Sequence, residues 1–172
     1  YFNLRGEGNY AAVSDANVRK AISAYMDRGN LINAAASGNA VPAVLPIRKA
    51  NFLFYGDGSS AEANIASGDD FMKAAGYTKN ENGFWAKNGV VMDLVCIVPD
   101  DDTEFLLLSE KFERDLEKSG ISVTLNFHNP EEYNFAMKNG AYSVLMTQLS
   151  LSDYADFESI FKTGAKLNIN AY

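Results

Sequence analysis

Apolar residues early in the chain recur with a helical period. From Ser14, the run SDANVRKAISAYMDRGNLINAAASG places Val18, Ile22, Tyr25 and Met26 on one helical face, the repeat of an amphipathic helix. Ser14 or Asp15 is the expected N-cap, Gly38 the expected stop, and Gly29 the point at which the helix splits into two pieces. Residues 38 to 60, with GNAVPAVLPI and YGDGSS, lose this period and read as an irregular connection. Ala61 to Ala75 is predicted as a weaker helix closed by Gly76. The stretch TKNENGFWAKNGVVMDLVCIV then reads as a hairpin whose second turn is Asn88-Gly89, a dipeptide that favours the positive φ of a tight turn.

The second half alternates between the two periods. Thr103 is the expected cap of a stronger helix in which Phe105, Leu108, Phe112 and Leu116 share a face, with a charged face opposite and Gly120 as the stop. ISVTLNF places Ile121, Val123, Leu125 and Phe127 on alternate positions, the pattern of a half-buried strand. Asn129, Pro130 and Glu132 form the sequence of a capping box for a helix running to Gly140, and AYSVLMT reads as a final strand. Strand, helix, strand, helix, strand from Val90 to Thr147 predicts right-handed crossovers and an α/β fold, its sheet mostly parallel and flanked by helices. Ligands of such sheets lie off the carboxyl ends of the strands. The acidic segment SLSDYADFESIF, residues 150 to 161, follows the last predicted strand, with Asp153 near the start of a short helix ending by Gly164.

Composition removes several function classes. The 172 residues carry a net charge of −7 with no string of Lys and Arg, so the phosphate-neutralising surface of a nucleic-acid binder is missing. The single cysteine, Cys96, sits inside VVMDLVCIV and is expected to be a small buried hydrophobe; one cysteine excludes an internal disulfide. No apolar stretch approaches the roughly 18 residues of a membrane span. The chain opens on Tyr1 in a strand-like run instead of on Met, which suggests an excised fragment or a processed chain.

Catalytic and metal chemistry finds little support. The single histidine, His128, lies at a strand-to-helix turn, where capping or a surface role is expected. No nucleophile elbow accompanies it, and zinc would require several Cys or His. GEG at 6 to 8 and GDGSS at 56 to 60 lack the lysine of a phosphate loop and read as turns. The triple aspartate at 100 to 102 lacks the ligand alternation of a calcium loop. Asp153 and Asp156 are the pair to consider for a carboxylate-dependent hydrolase, but a three-residue spacing is equally what a helix N-terminus collects. No cofactor or metal is expected.

The order FNLRG, then VSDANVRKAISAYMDRGNLINAAASGNAVPA, resembles the signature of the extracellular solute-binding proteins of peptide and nickel ABC importers, of the oligopeptide- and dipeptide-binding type. The helix closing at AAGY, the hairpin, FERDLEKSGISVTL, NGAYSVLM and the DYAD loop agree in order, so the resemblance spans nearly the whole chain. It implies that residues 1–172 form most of one lobe, a C-terminal ligand-binding domain of the type II periplasmic-binding-protein kind, in a two-lobed receptor that closes on its ligand like a hinge. It also implies an extracytoplasmic location, as a periplasmic protein or surface lipoprotein, a peptide or other small solute as ligand, and an ABC permease as partner. A ligand sensor of the same fold feeding a signalling partner is the alternative.

In peptide-binding members of that family an Asp in the matching loop grips the ligand's α-ammonium; by position this is Asp153, beside Leu149, Ser150, Ser152 and Tyr154. A role for Asp153 as helix cap is compatible with this one, and Tyr154 is open to two readings, cleft lining or core. Peptide binders often place a Trp shortly before this Asp and a Pro after the second acid, where this chain has Leu149, Ser150 and Phe157. Asp27 and Arg28 match the family's DR, with a structural ion pair or capping role expected.

Overall fold

The computed structural model describes residues 1–36, 40, 62–148, 158, 162 and 165. A 3₁₀ turn, Gly8–Ser14, leads into α1, Ala16–Tyr25, whose N-cap is Asp15: its carboxylate accepts the Asn17 N–H at 2.7 Å. Val18, Ala21, Ile22 and Tyr25 are buried along one face, as the period requires, and Met26 is buried just beyond the helix. The expected split occurs two residues before Gly29. Met26 turns extended, and α2, Arg28–Ala36, restarts with Gly29 inside its first turn. The cause is Asp27, whose carboxylate accepts both the backbone N–H and the side-chain amide of Asn30, at 2.9 and 2.6 Å.

The predicted irregular connection falls almost entirely outside the described residues. α3, Ile65–Ala74, begins later than expected because Asn64 caps it, accepting the Ser67 N–H at 3.0 Å while its own N–H bonds Ala24 O. The hairpin is a three-stranded antiparallel meander of β1, Thr78–Lys79, β2, Trp85–Lys87, and β3, Val90–Val91. Lys87 pairs Val90 across Asn88 (φ 53°) and Gly89 (φ 78°), the two positive dihedrals of a type I′ turn.

The second sheet holds β4, Asp93–Pro99, and, after α4, Thr103–Lys118, the parallel β5, Ser122–His128. Asp102, not Thr103, caps α4, its carboxylate accepting the N–H groups of Glu104 and Phe105; Thr103 is the first helical residue. Ser119 closes the helix and Gly120 follows at φ 89°. α5, Pro130–Asn139, carries the predicted capping box in full and ends on left-handed Gly140. The last strand, β6, is only Val144–Leu145; Ala141 is drawn into the turn that ends α5, its N–H bonding Ala136 O at 3.2 Å.

Strand order is β5-β4-β6, both neighbours parallel to β4, with Phe2 bridging Val144 in the antiparallel sense. The expected α/β fold with a mostly parallel sheet is therefore what the chain forms. One face of β4, with Leu94, Cys96 and Val98, joins Ile22, Tyr25, Met72, Trp85, Phe112 and Leu116 in the main core; the other, with Ile97, packs under α5 against Ala136, Tyr142 and Leu145. Trp85 bolts the meander to this body, its N–H donating to Gly120 O and its indole to Ser119 O, at 2.8 and 3.0 Å.

Candidate ligand-binding site

The carboxyl edge of the parallel sheet is built by three exits. β4 leaves at Pro99, in register with His128 of β5, and β6 leaves at Leu145, in register with Ile97. After Pro99 the chain stays tied to its neighbour, Asp100 N–H donating to His128 O at 3.0 Å, and then turns into α4 under the Asp102 cap. The third exit is held from two sides. Met146 N–H donates to Ile97 O at 3.1 Å, while Met146 O accepts the Tyr133 hydroxyl of α5 at 2.5 Å.

Tyr133 reaches this carbonyl because α5 starts where it does. The Asn129 cap, with Pro130 at N1, puts Tyr133 one turn into the helix, its N–H bonded to Asn129 O at 2.8 Å. Burial pushes its phenol above the usual range, against a side-chain hydrogen bond with Thr147 that pulls the other way. The residue is half-buried against the Ile97 cluster. Sequence reasoning assigned it no role, because the pattern marks Tyr133 as a helix position and says nothing of the carbonyl it meets.

The exit leads through Met146, Thr147 and Gln148 directly into the predicted loop. Leu149, Ser150, Ser152, Asp153 and Tyr154 lie outside the described residues, as do Asp156 and most of the short helix expected after them. Glu158, the third acid of SLSDYADFESIF, is helical and exposed and pairs with Lys162 at 3.1 Å, an i, i+4 contact. That acid thus meets the lysine that follows the cluster, a contact contributing about 0.3 to 0.5 kcal/mol at such exposure.

His128 closes β5 with its Nδ1 3.7 Å from the Glu132 carboxylate, which also accepts the Asn129 N–H of the capping box at 3.3 Å. The cap itself is Asn129 with Glu132, so His128 stands beside the capping box and is not the cap. An open groove of about 610 Å³ lies beside it, lined by Tyr10, Asn126, His128, Glu131, Glu132 and Phe135. Its signal in sequence is the polar half of the β5 alternation, Asn126 and His128 alternating with Leu125 and Phe127. Cys96 is fully buried and burial pushes its thiol up to about 12, so it is the inert hydrophobe expected. Asp27 caps α2 and Arg28 donates to Ser23 Oγ at 2.6 Å, the capping half of the expectation for that pair.

The family model described as bacterial extracellular solute-binding proteins, family 5 Middle, matches residues 1–168. The chain belongs to this family. Among solved structures, the oligopeptide-binding protein AppA from Bacillus subtilis, in complex with a nonapeptide, is 20% identical with a TM-score of 0.84, over 99% of this chain and 35% of that one. NikZ from Campylobacter jejuni, in complex with Ni(L-His), is 17% identical with a TM-score of 0.80, over 99% and 35%. A periplasmic oligopeptide-binding protein from Thermotoga maritima, bound to mannohexaose, is 16% identical with a TM-score of 0.81, over 100% and 35%. No curated protein sequence matches. At these identities the likeness is one of fold, and this family 5 chain spans about a third of the length of those structures.

Proposed function

We propose that this chain is the larger part of one lobe of an importer's solute receptor, which captures an oligopeptide or dipeptide by hinge closure and delivers it to an ABC permease outside the cytoplasm. The observation that carries the reading is the family match over residues 1–168, joined to a parallel sheet whose last strand, ending at Leu145, precedes the acidic segment in sequence. In this reading Asp153 receives the peptide's α-ammonium, and Leu149, Ser150, Ser152 and Tyr154 line the space around it. A carboxylate and an ammonium brought together in a closed cleft form a charge-assisted hydrogen bond worth about 1.5 to 3 kcal/mol. The same carboxylate shut away without a cation is costly, so the open state is favoured until ligand arrives. The chain's part is binding, with no covalent step.

The test is calorimetric titration of the complete two-lobed protein with a pool of small peptides and with the same pool N-acetylated. Free peptides bind and acetylated ones do not if the ammonium is gripped, and Asp153→Asn then removes the difference. Failure of both pools overturns the peptide reading and directs the search to metal chelates and oligosaccharides, the kinds of ligand named for the relatives above.

A further inference from the structure

β5 is the outer strand of the parallel sheet, and among the described residues it pairs with β4 alone. An open edge strand offers a row of unpaired N–H and C=O groups to any extended chain, and proteins that leave one bare normally blunt it with a proline, a lysine, a bulge or extreme shortness. SVTLNFH has none of these guards. It runs seven residues in unbroken register, from Asp93 opposite Ser122 to Pro99 opposite His128, and carries a Phe127 that is 46% exposed. At the rise of a strand that is about 23 Å of edge. The hydrogen bonds of the meander reach only Ser119 and Gly120, short of the strand itself.

The sheet face beside this edge is only partly roofed. α5 packs over β4 and β6, with Ala136 against Ile97 and Leu145, and leaves next to β5 the groove of Asn126, His128, Glu131, Glu132 and Phe135, the last 71% exposed. A second groove, of about 710 Å³, takes in Asp15, Asp93 and Val95 and shares Tyr10 with the first. Acids therefore stand at both ends of the strand. Asp93 accepts the Ser122 and Thr124 hydroxyls at 2.7 and 3.0 Å and meets no cation among the described residues. Glu131 and Glu132 occupy the first turn of α5, and no described lysine or arginine lines their groove. Lys87, which lines the second groove, donates to the Ala75 carbonyl at 2.8 Å.

We propose that the outer edge of β5 docks an extended, basic segment of a partner protein, which adds to the sheet as a further strand and sets lysine or arginine side chains against Asp93 at one end and Glu131 and Glu132 at the other, with an apolar side chain against Phe135. In strand addition the backbone hydrogen bonds supply affinity, and side chains at alternate positions supply the choice of partner. Charge selects the occupant. A second copy would bring the same acids against themselves on a chain of net charge −7, and an anionic lipid surface is repelled likewise. A short free peptide meets no closing wall in an open groove to offset its lost freedom, whereas a segment carried on a partner is held at high effective concentration. This role is separate from solute capture and uses no residue assigned to it above.

The complete protein is titrated with a peptide of about ten residues, N-acetylated and C-amidated, that alternates lysine with valine, long enough to span the edge, and with a counterpart carrying glutamate for lysine. Hydrogen exchange of Ser122–His128 is expected to slow with the basic peptide and not with the acidic one, and the affinity to fall as salt is raised. Glu131→Lys, at an exposed side chain outside the capping box, is expected to weaken binding about 10-fold. Thr124→Lys sets a guard on the exposed edge and is expected to abolish the protection without lowering the melting temperature by more than a few degrees. Exchange unchanged by the basic peptide, or slowed equally by the acidic one, overturns the proposal. So does displacement of the basic peptide by small free peptides, which would put it in the solute cleft, and so does a wild-type dimer that Thr124→Lys dissociates, which would give the edge to a second copy. If small free peptides do not bind at all, the solute reading falls instead, and exchange at β5 still decides the edge.

Discussion

The side-chain amide of Asn3 donates to the Tyr142 carbonyl at 3.0 Å, across 139 positions of sequence, and its second hydrogen goes to the Gly140 carbonyl, also at 3.0 Å. Asn3 is buried; its backbone N–H donates to Ser143 O at 3.0 Å and its side-chain Oδ1 accepts the Arg5 N–H at 3.2 Å. One side chain thus closes the turn between α5 and β6 and aligns the opening segment against the last strand.

Asn3→Ala is expected to destabilise the protein by about 2 to 4 kcal/mol, because two largely buried carbonyls lose their donors and each unmade bond carries a desolvation cost. Urea unfolding followed by tryptophan fluorescence measures it. A loss below about 1 kcal/mol would mean that water replaces the amide freely.

Gly68→Ala tests the contact between α1 and α3. A Cβ at Gly68 would lie 2.3 Å from the Tyr25 ring, whose hydroxyl is held by Asp69 at 2.8 Å. Alanine gains about 1 kcal/mol of helix propensity, while forcing atoms into a filled core costs about 1 to 3 kcal/mol. The ring is tethered, so the clash wins and the melting temperature falls. Adding Tyr25→Leu should then cost less than it does in the wild type, a coupling that a double-mutant cycle reads directly.

Capping of α4 discriminates two neighbouring residues. Asp102→Ala removes the acceptor of the Glu104 and Phe105 N–H groups and should cost about 1 kcal/mol. Thr103→Ala, at the first helical position, should lie within about 0.5 kcal/mol of neutral. Equal effects would contradict the observed cap.

Alkali is expected to weaken the fold from about pH 9 upward. Burial raises the Cys96 thiol from 9.0 to about 12, and the Tyr25, Tyr77 and Tyr133 phenols are raised as well, burial being the first cause in each. Below the unfolded values all four are protonated in both states and their contribution is fully present. As pH rises above those values the unfolded chain loses protons that the folded chain keeps, so stability falls. Urea midpoints measured from pH 8 to 11 should decline, and Cys96→Ala should flatten the early part of that decline. Rapid thiol labelling at pH 8 in the native state would contradict the burial that drives it.

The local grammar of the chain was legible without coordinates. Val18, Ile22 and Tyr25 announced a buried helical face, Asn88-Gly89 a type I′ turn, and Asn129, Pro130 and Glu132 a capping box, because each depends on interactions within a few residues. Where neighbours competed for one local task the choice was less visible. Asp102 outbid Thr103 as a cap, an ionised acceptor near a helix N-terminus being the better partner for its N–H groups, and the Asp27 cap moved the helix break ahead of Gly29.

By itself, then, the sequence determined the order of elements, the α/β class and the parallel sense of the sheet, since periodicity and short-range capping are properties of adjacent residues. Tertiary structure alone decided which distant groups meet: Asn3 with Gly140 and Tyr142, Trp85 with the end of α4, Tyr25 with Asp69, and Tyr133 with the Met146 carbonyl. These pairings satisfy buried polar groups far apart in the chain, and their partners are fixed by the packing of layers, which no local pattern encodes.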